Sequence, residues 1–231
     1  MKLRLYSNSF NSGGERVRIA LALKQIDYEY ISIQDIGFDA YRAINPQALL
    51  PTLAVDETLL TQSTAILEYL EEICPEPALL PNDPLLRGLA RGFGQAVASE
   101  MHAIDVGRVR RFLGDELGVT DGQLEQWSDH WMRDGFTALE ALLQRSAAQT
   151  PFCYGDNPGW ADLFLAPQVR KGLTRFDLDI TPYPLIAAVY SQCEKHPAFI
   201  AAAPEQQPDY RGSMGRSWRP ESTAKLTAAA P

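Results

Sequence analysis

Polar and apolar residues alternate from Lys2 to Tyr6, the period-two pattern of a strand with one buried face. After the turn-rich stretch SNSFNSGG the period changes, and Val17, Ala20, Leu21 and Leu23 fall along one side of a helix over Arg16–Lys24. Tyr28–Ile33 reads as a second strand, which completes a β-α-β unit. A looser segment follows from Gln34 to Ala48. Thr52–Val55 and Thr58–Thr61 are then two short strands separated by Asp56 and Glu57, which is hairpin spacing, and Gln62–Ile73 is an amphipathic helix.

The order β-α-β, link, β-β-α predicts a thioredoxin-like α/β domain over residues 1–80. Pro51, opening the third strand, fits either an edge position or a cis turn at Leu50–Pro51, because cis bonds are essentially confined to X-Pro. Pro75 to Pro84 carries four prolines in ten residues and serves as a linker. Beyond it the pattern is almost entirely helical, which predicts an all-α domain over residues 85–210. Asp83-Pro84 is a helix start, Thr120 to Gln123 is a capping box ahead of a helix reaching about Gln144, and Asp156–Asp162 opens another. From Gln206 onward the chain is polar, rich in Gly, Pro and Ser, and aperiodic; a surface-hugging or flexible tail is expected there, with residues 211–231 as its main part.

With 231 residues, 45% of them hydrophobic, the chain is long enough for one large or two small domains with a sizeable core. The net charge of -8 argues against general affinity for nucleic acid or an anionic membrane surface, since phosphate binding draws on clustered Lys and Arg. No apolar run is long enough to span a membrane, and MKLRLYSNSF lacks a signal peptide's apolar core, so a cytoplasmic location is expected. Cys74, Cys153 and Cys193 are widely spaced and read as buried thiols, neither a disulfide framework nor a zinc site. The three histidines, His102, His130 and His196, are equally scattered, so no metal is expected.

Two constellations carry candidate chemistry. The small polar residues Ser7 to Gly14 directly precede a helix, whose N-terminal N–H groups and partial positive charge favour an anion such as an ionised thiol. Asn11 or Ser12 would stabilise it there, or would simply cap the helix. The second constellation is Leu50-Pro51 with Gln62-Ser63 eleven residues on. The Leu50 backbone is placed to pair with an extended peptide, and Ser63 at a helix start to hold a carboxylate. A plain turn and a plain cap are the alternatives.

Together with the chain order, these segments resemble the glutathione transferase superfamily, and within it the zeta class that includes maleylacetoacetate isomerase. The resemblance runs from Lys2 to about Asp209. It is carried by RVRIALALKQIDYEY (Arg16–Tyr30), INPQALLPTL (Ile44–Leu53), TQSTAILEYLEE (Thr61–Glu72), ALLPNDP (Ala78–Pro84), GFTALEALL (Gly135–Leu143), APQV (Ala166–Val169), RFDLDITPYPLI (Arg175–Ile186) and PEQQPD (Pro204–Asp209). It implies glutathione as cosubstrate, with Leu50 and Pro51 at the cysteinyl unit and Gln62 and Ser63 at the γ-glutamyl end. It also implies a homodimer and an arginine, Arg175, in the electrophile pocket.

Where zeta members carry Ser-Ser-Cys, this chain has Asn11-Ser12-Gly13, which leaves Asn11 or Ser12 to activate the thiol. Tyr6 matches a tyrosine that zeta members leave unused. Arg108 aligns with an arginine that binds substrate carboxylates in maleylpyruvate isomerase relatives, and His102 lies near it, with packing as its alternative role. Arg110 and Arg111 read as a solvated basic face. The activity implied is attack of the glutathione thiolate on a small electrophile, including cis-trans isomerisation of maleylacetoacetate- or maleylpyruvate-type diacids. Glutathione-dependent disulfide reduction, dehalogenation, and a non-catalytic binding protein of the same fold are the rival readings.

Overall fold

The computed structural model describes residues 1–146 and 150–212. Strand β1 (Leu3–Ser7) leads through Asn11 into helix α1 (Ser12–Leu23), and β2 (Glu29–Ser32) returns parallel to β1. Two short helices, α2 (Ile33–Ile36) and α3 (Phe38–Ile44), occupy what the sequence pattern left as a loose segment. Ser32 accepts from the Gln34 amide to start α2, and Tyr41 is fully buried to anchor α3. Strands β3 (Thr52–Val55) and β4 (Thr58–Thr61) form the expected hairpin, and helix α4 (Ser63–Ile73) follows. The sheet order is β2-β1-β3-β4, with β3 antiparallel to both neighbours. The Leu50–Pro51 bond is cis.

The helical part begins at α5 (Pro84–Gln95), with Asp83 as its cap. This helix does not run on to Arg108 unbroken. It passes into a π-helical stretch at Ala96–His102 and a 3-10 turn at Ala103–Asp105, then breaks at Val106 before the short α6 (Gly107–Arg111). Helix α7 (Asp121–Arg145) opens on the predicted Thr120–Gln123 capping box. Helices α8 (Trp160–Phe176), α9 (Pro184–Cys193) and α10 (Pro197–Ala202) complete the fold.

Helix α8 is the central element of the core. Trp160, Leu163, Phe164, Leu165 and Val169 are all within 2% of full burial, and burial of such side chains stabilises by about 1.5–3 kcal/mol each. The same apolar cluster continues through Val17, Ile19 and Leu21 of α1 into the sheet, so the two halves share one core.

Three expectations are corrected. Cys153 and Cys193 are buried, but Cys74 is only partly so, its thiol lying beside the Glu76 carbonyl at the exposed end of α4. Arg110 is not part of a solvated face: it is 1% exposed. The stretch from Gln206 is not a loose tail as far as it is described, because Gln207 and Asp209 are buried; residues 213–231 of the expected tail lie outside the described residues. Among the described residues no helix is long and apolar enough to cross a membrane, and no group of three or more His, Cys, Asp or Glu is placed to hold a metal.

Candidate active site

Helix α1 follows β1, an inner strand, so its N-terminal N–H groups open near the carboxyl end of that strand. The Asn11 side-chain oxygen accepts from the Gly14 amide, which commits that oxygen to the cap. Ser12 follows, buried, with its Oγ 3.1 Å from Nδ1 of His102, brought in by the π-helical stretch after α5. Such widened turns recur at functional sites because they re-aim a side chain out of α-helical register. Burial holds His102 well below its ordinary pKa of 6.5, with Arg16 and Lys171 pushing in the same direction, so the ring is neutral. At Gly13, where the family carries cysteine, a β-carbon would make a tight contact, 3.2 Å from both the Leu50 carbonyl oxygen and the Pro51 Cδ.

Beneath this turn lies Arg16, whose Nη1 donates to the Ser63 hydroxyl at 3.2 Å and whose guanidinium stacks 4.6 Å from the centre of the Phe164 ring. Its Nε and Nη2 are buried with no hydrogen-bond partner among the described residues. Burial pushes its pKa down to about 10, which leaves it charged near neutrality. Gln62 adopts φ 69°, a left-handed conformation costly for a non-glycine residue. Its amide donates to Gln47 Oε1 at 2.8 Å.

A cavity of about 490 Å³ opens beside the α1 N-terminus. Of the residues singled out from sequence, Asn11, Ser12, Leu50, His102, Arg108 and Arg175 line it. Pro51, Gln62 and Ser63 do not; Gln62 joins its edge through Gln47, and Ser63 sits behind it against Arg16. Tyr6 is also outside, buried with its ring 6.3 Å from that of Tyr41.

The cavity's charge was mostly invisible to sequence reasoning. Six cationic side chains line it, Arg42, Arg108, Arg111, Arg170, Lys171 and Arg175, against the carboxylates Glu15, Asp105 and Glu205. The α8 contribution, Pro167, Arg170, Lys171, Thr174 and Arg175, follows i, i+3, i+4, i+7, i+8 spacing, so one helix face is turned to the cavity. That stripe was the available signal. Arg170 pairs with buried Glu15 at 3.0 Å, and Lys171 with buried Asp105 at 2.9 Å.

The segment after α10 forms a further wall through Pro204, Glu205 and Tyr210, the last with its ring 5.5 Å from that of Phe10. Asp209 fixes this wall by accepting from the Ser9 amide, the Tyr30 hydroxyl and the Ser32 hydroxyl at 2.9–3.1 Å. Arg18 ties the same loop from below, donating to the carbonyls of Asn8, Ser9 and Ala202.

A helix N-terminus opening onto a cavity lined by six cationic side chains, on a thioredoxin-like sheet with a helical partner, points to a class. The family described as Glutathione S-transferase, N-terminal domain, matches residues 9–78. A maleylpyruvate isomerase of a Ralstonia species is 41% identical over 90% of this chain and 99% of its own length. A holo maleylpyruvate isomerase structure, described as a zeta-class bacterial glutathione S-transferase, superposes with a TM-score of 0.85 at 39% identity, covering 90% of this chain and all of that one. A maleylacetoacetate isomerase of Methylobacterium extorquens AM1, solved with bound malonate and GSH, superposes with a TM-score of 0.84 at 35% identity over 90% of this chain and all of the other. The protein belongs to the glutathione S-transferase family, in its zeta class.

Proposed function

We propose that the protein is a glutathione-dependent enzyme that isomerises a small, carboxylate-bearing cis-enone of the maleylpyruvate or maleylacetoacetate kind. The observation that carries this is the cavity itself, in which the Ser12–His102 pair at a helix N-terminus opens onto a wall of cations. The residues present fit glutathione. The buried, unpartnered Nε and Nη2 of Arg16, directly beneath Ser63, supply the positive charge that a γ-glutamyl carboxylate at Gln62 and Ser63 would meet. Leu50 faces the cavity where the cysteinyl unit would lie. When bound, glutathione supplies a nucleophile that adds to the double bond, permits rotation and leaves again.

The chain's own work is to ionise that thiol and orient the acceptor. In the tautomer with its proton on Nδ1, neutral His102 would donate to Ser12 Oγ 3.1 Å away and so free the serine hydroxyl to donate to the sulfur; the α1 N–H groups add to the same charge. Arg108 and Arg175 pair with carboxylates of the electrophile and draw electrons away from the attacked carbon. The protein is also read as a homodimer, a reading supported by the exposed leucines Leu85, Leu86 and Leu89 on α5 and Leu59 on β4, and as cytoplasmic.

The test is the thiol pKa of bound glutathione, followed by ultraviolet thiolate absorbance. Ser12→Ala should raise it by roughly one to two units, the worth of one hydrogen bond to a charged group, and Tyr6→Phe should leave it in place. A shift with Tyr6→Phe alone would move the activation to the tyrosine. Retention on immobilised glutathione without turnover of either diacid would identify a binding protein instead, and turnover of disulfides alone a reductase.

A further inference from the structure

Three cations surround one aromatic ring, and two of them, Lys171 and Arg175, also line the cavity. The Arg110 guanidinium, the Lys171 ammonium and the Arg175 guanidinium stand 5.4, 5.6 and 5.7 Å from the centre of Phe176. The carboxylate closest to them is Asp105, which is 3% exposed and fully engaged. Its Oδ1 accepts from the Ser128 hydroxyl at 2.6 Å and lies 3.9 Å from Arg110 Nε, while its Oδ2 receives Lys171 at 2.9 Å. Glu125 and Asp121 also act on Arg110. Even so, Nε and Nη1 of Arg110 and Nε of Arg175 are buried with no hydrogen-bond partner among the described residues. Buried charge of one sign, incompletely matched, is costly by itself and becomes favourable when a counter-ion arrives.

Lys171 and Arg175 are spaced i, i+4 on α8, so their heads can converge on one anion, and both line the cavity. Arg110 does not line it. The neighbouring Arg170 is held by Glu15 much as Lys171 is held by Asp105, but the Lys171 ammonium, with three donors, keeps one for a second acceptor beside Arg175. We propose that Lys171 is a specificity-determining residue: held in place by Asp105 and Ser128, it receives a carboxylate of the electrophile together with Arg175. The proposal rests on the diacid reading above and assigns one end of that substrate to a particular pair of side chains. Lys171 then separates acceptors that carry this carboxylate from those that lack it.

Malonate, found with GSH in the Methylobacterium extorquens relative, is a suitable probe. Its affinity should be measured by calorimetry with and without saturating glutathione. Lys171→Met should weaken malonate by tenfold or more, as expected for a lost charge-assisted contact. Lys171→Arg should stay within about threefold of the parent, since the charge is kept. Lys171→Met leaves Asp105 buried without its ammonium, so the double variant Asp105→Asn/Lys171→Met, which removes one charge of each sign, is the decisive protein if the single variant fails to fold. Glutathione affinity should be unchanged in the variants that fold. Malonate affinity equal to the parent's in Lys171→Met, or in the double variant where that one decides, overturns the proposal. Failure of the parent itself to bind glutathione overturns the diacid-isomerase reading instead, and the glutathione-free malonate titration still decides on Lys171.

Discussion

A methyl group at position 14 would collide with the Ser7 hydroxyl and stand 3.0 Å from Asn11 Oδ1. Neither oxygen is free to retreat, since Ser7 Oγ accepts from Arg18 and Asn11 Oδ1 closes the α1 cap. Gly14→Ala should therefore destabilise the fold by about 1–3 kcal/mol in urea unfolding, the ordinary cost of overpacking a filled site. His102 gives a pH signature. Its folded pKa lies well below the ordinary 6.5, so an unfolded chain binds a proton there before the folded one does. The stability linked to this residue is fully present above pH 6.5 and is lost as pH falls through the depressed folded value. His102→Gln should flatten that acid-side loss, as read from urea midpoints at a series of pH values, while impairing activity through Ser12.

At the scale of elements, the wall after α10 depends on one carboxylate. Asp209→Ala removes the acceptor of three hydrogen bonds and should cost about 2–4 kcal/mol, with faster hydrogen exchange at the Ser9 amide. Composition made this segment look like tail, because burial by polar tethering leaves no hydrophobic period to read. Elements with strong local signals were legible: the β3–β4 hairpin from its alternation about Asp56-Glu57, and α7 from Thr120 and Gln123. Helices α2 and α3 were not, being too short for a period to register, and neither was the break at Val106, which follows π-helical and 3-10 turns that had already left α-helical spacing. In the cavity, Arg175 was legible through family resemblance. Arg170 and Lys171, a turn before it, were passed over because charged residues on a helix ordinarily mark the solvent side, and only the packing of α8 against α1 turns that face inward.

For the molecule as a whole, the exposed leucines of α5 predict self-association. Leu89→Glu should convert a species of twice the chain mass into a monomer by light scattering, and unchanged mass in both proteins would remove α5 from the interface. The Ser9–Asp209 bond has a different kind of consequence, because it closes a span of 200 residues. The sheet, α1 and the Arg18 ties to Asn8 and Ser9 draw on the first third of the chain, whereas the loop presenting Asn11 and Ser12 receives its further tie at the Ser9 amide when Asp209 arrives. Synthesis proceeds from the N-terminus and distant contacts form last, so competence is the final property this protein acquires during biogenesis. A nascent chain arrested with residue 200 at the tunnel exit should already protect its β1 amides from exchange and yet ionise no thiol.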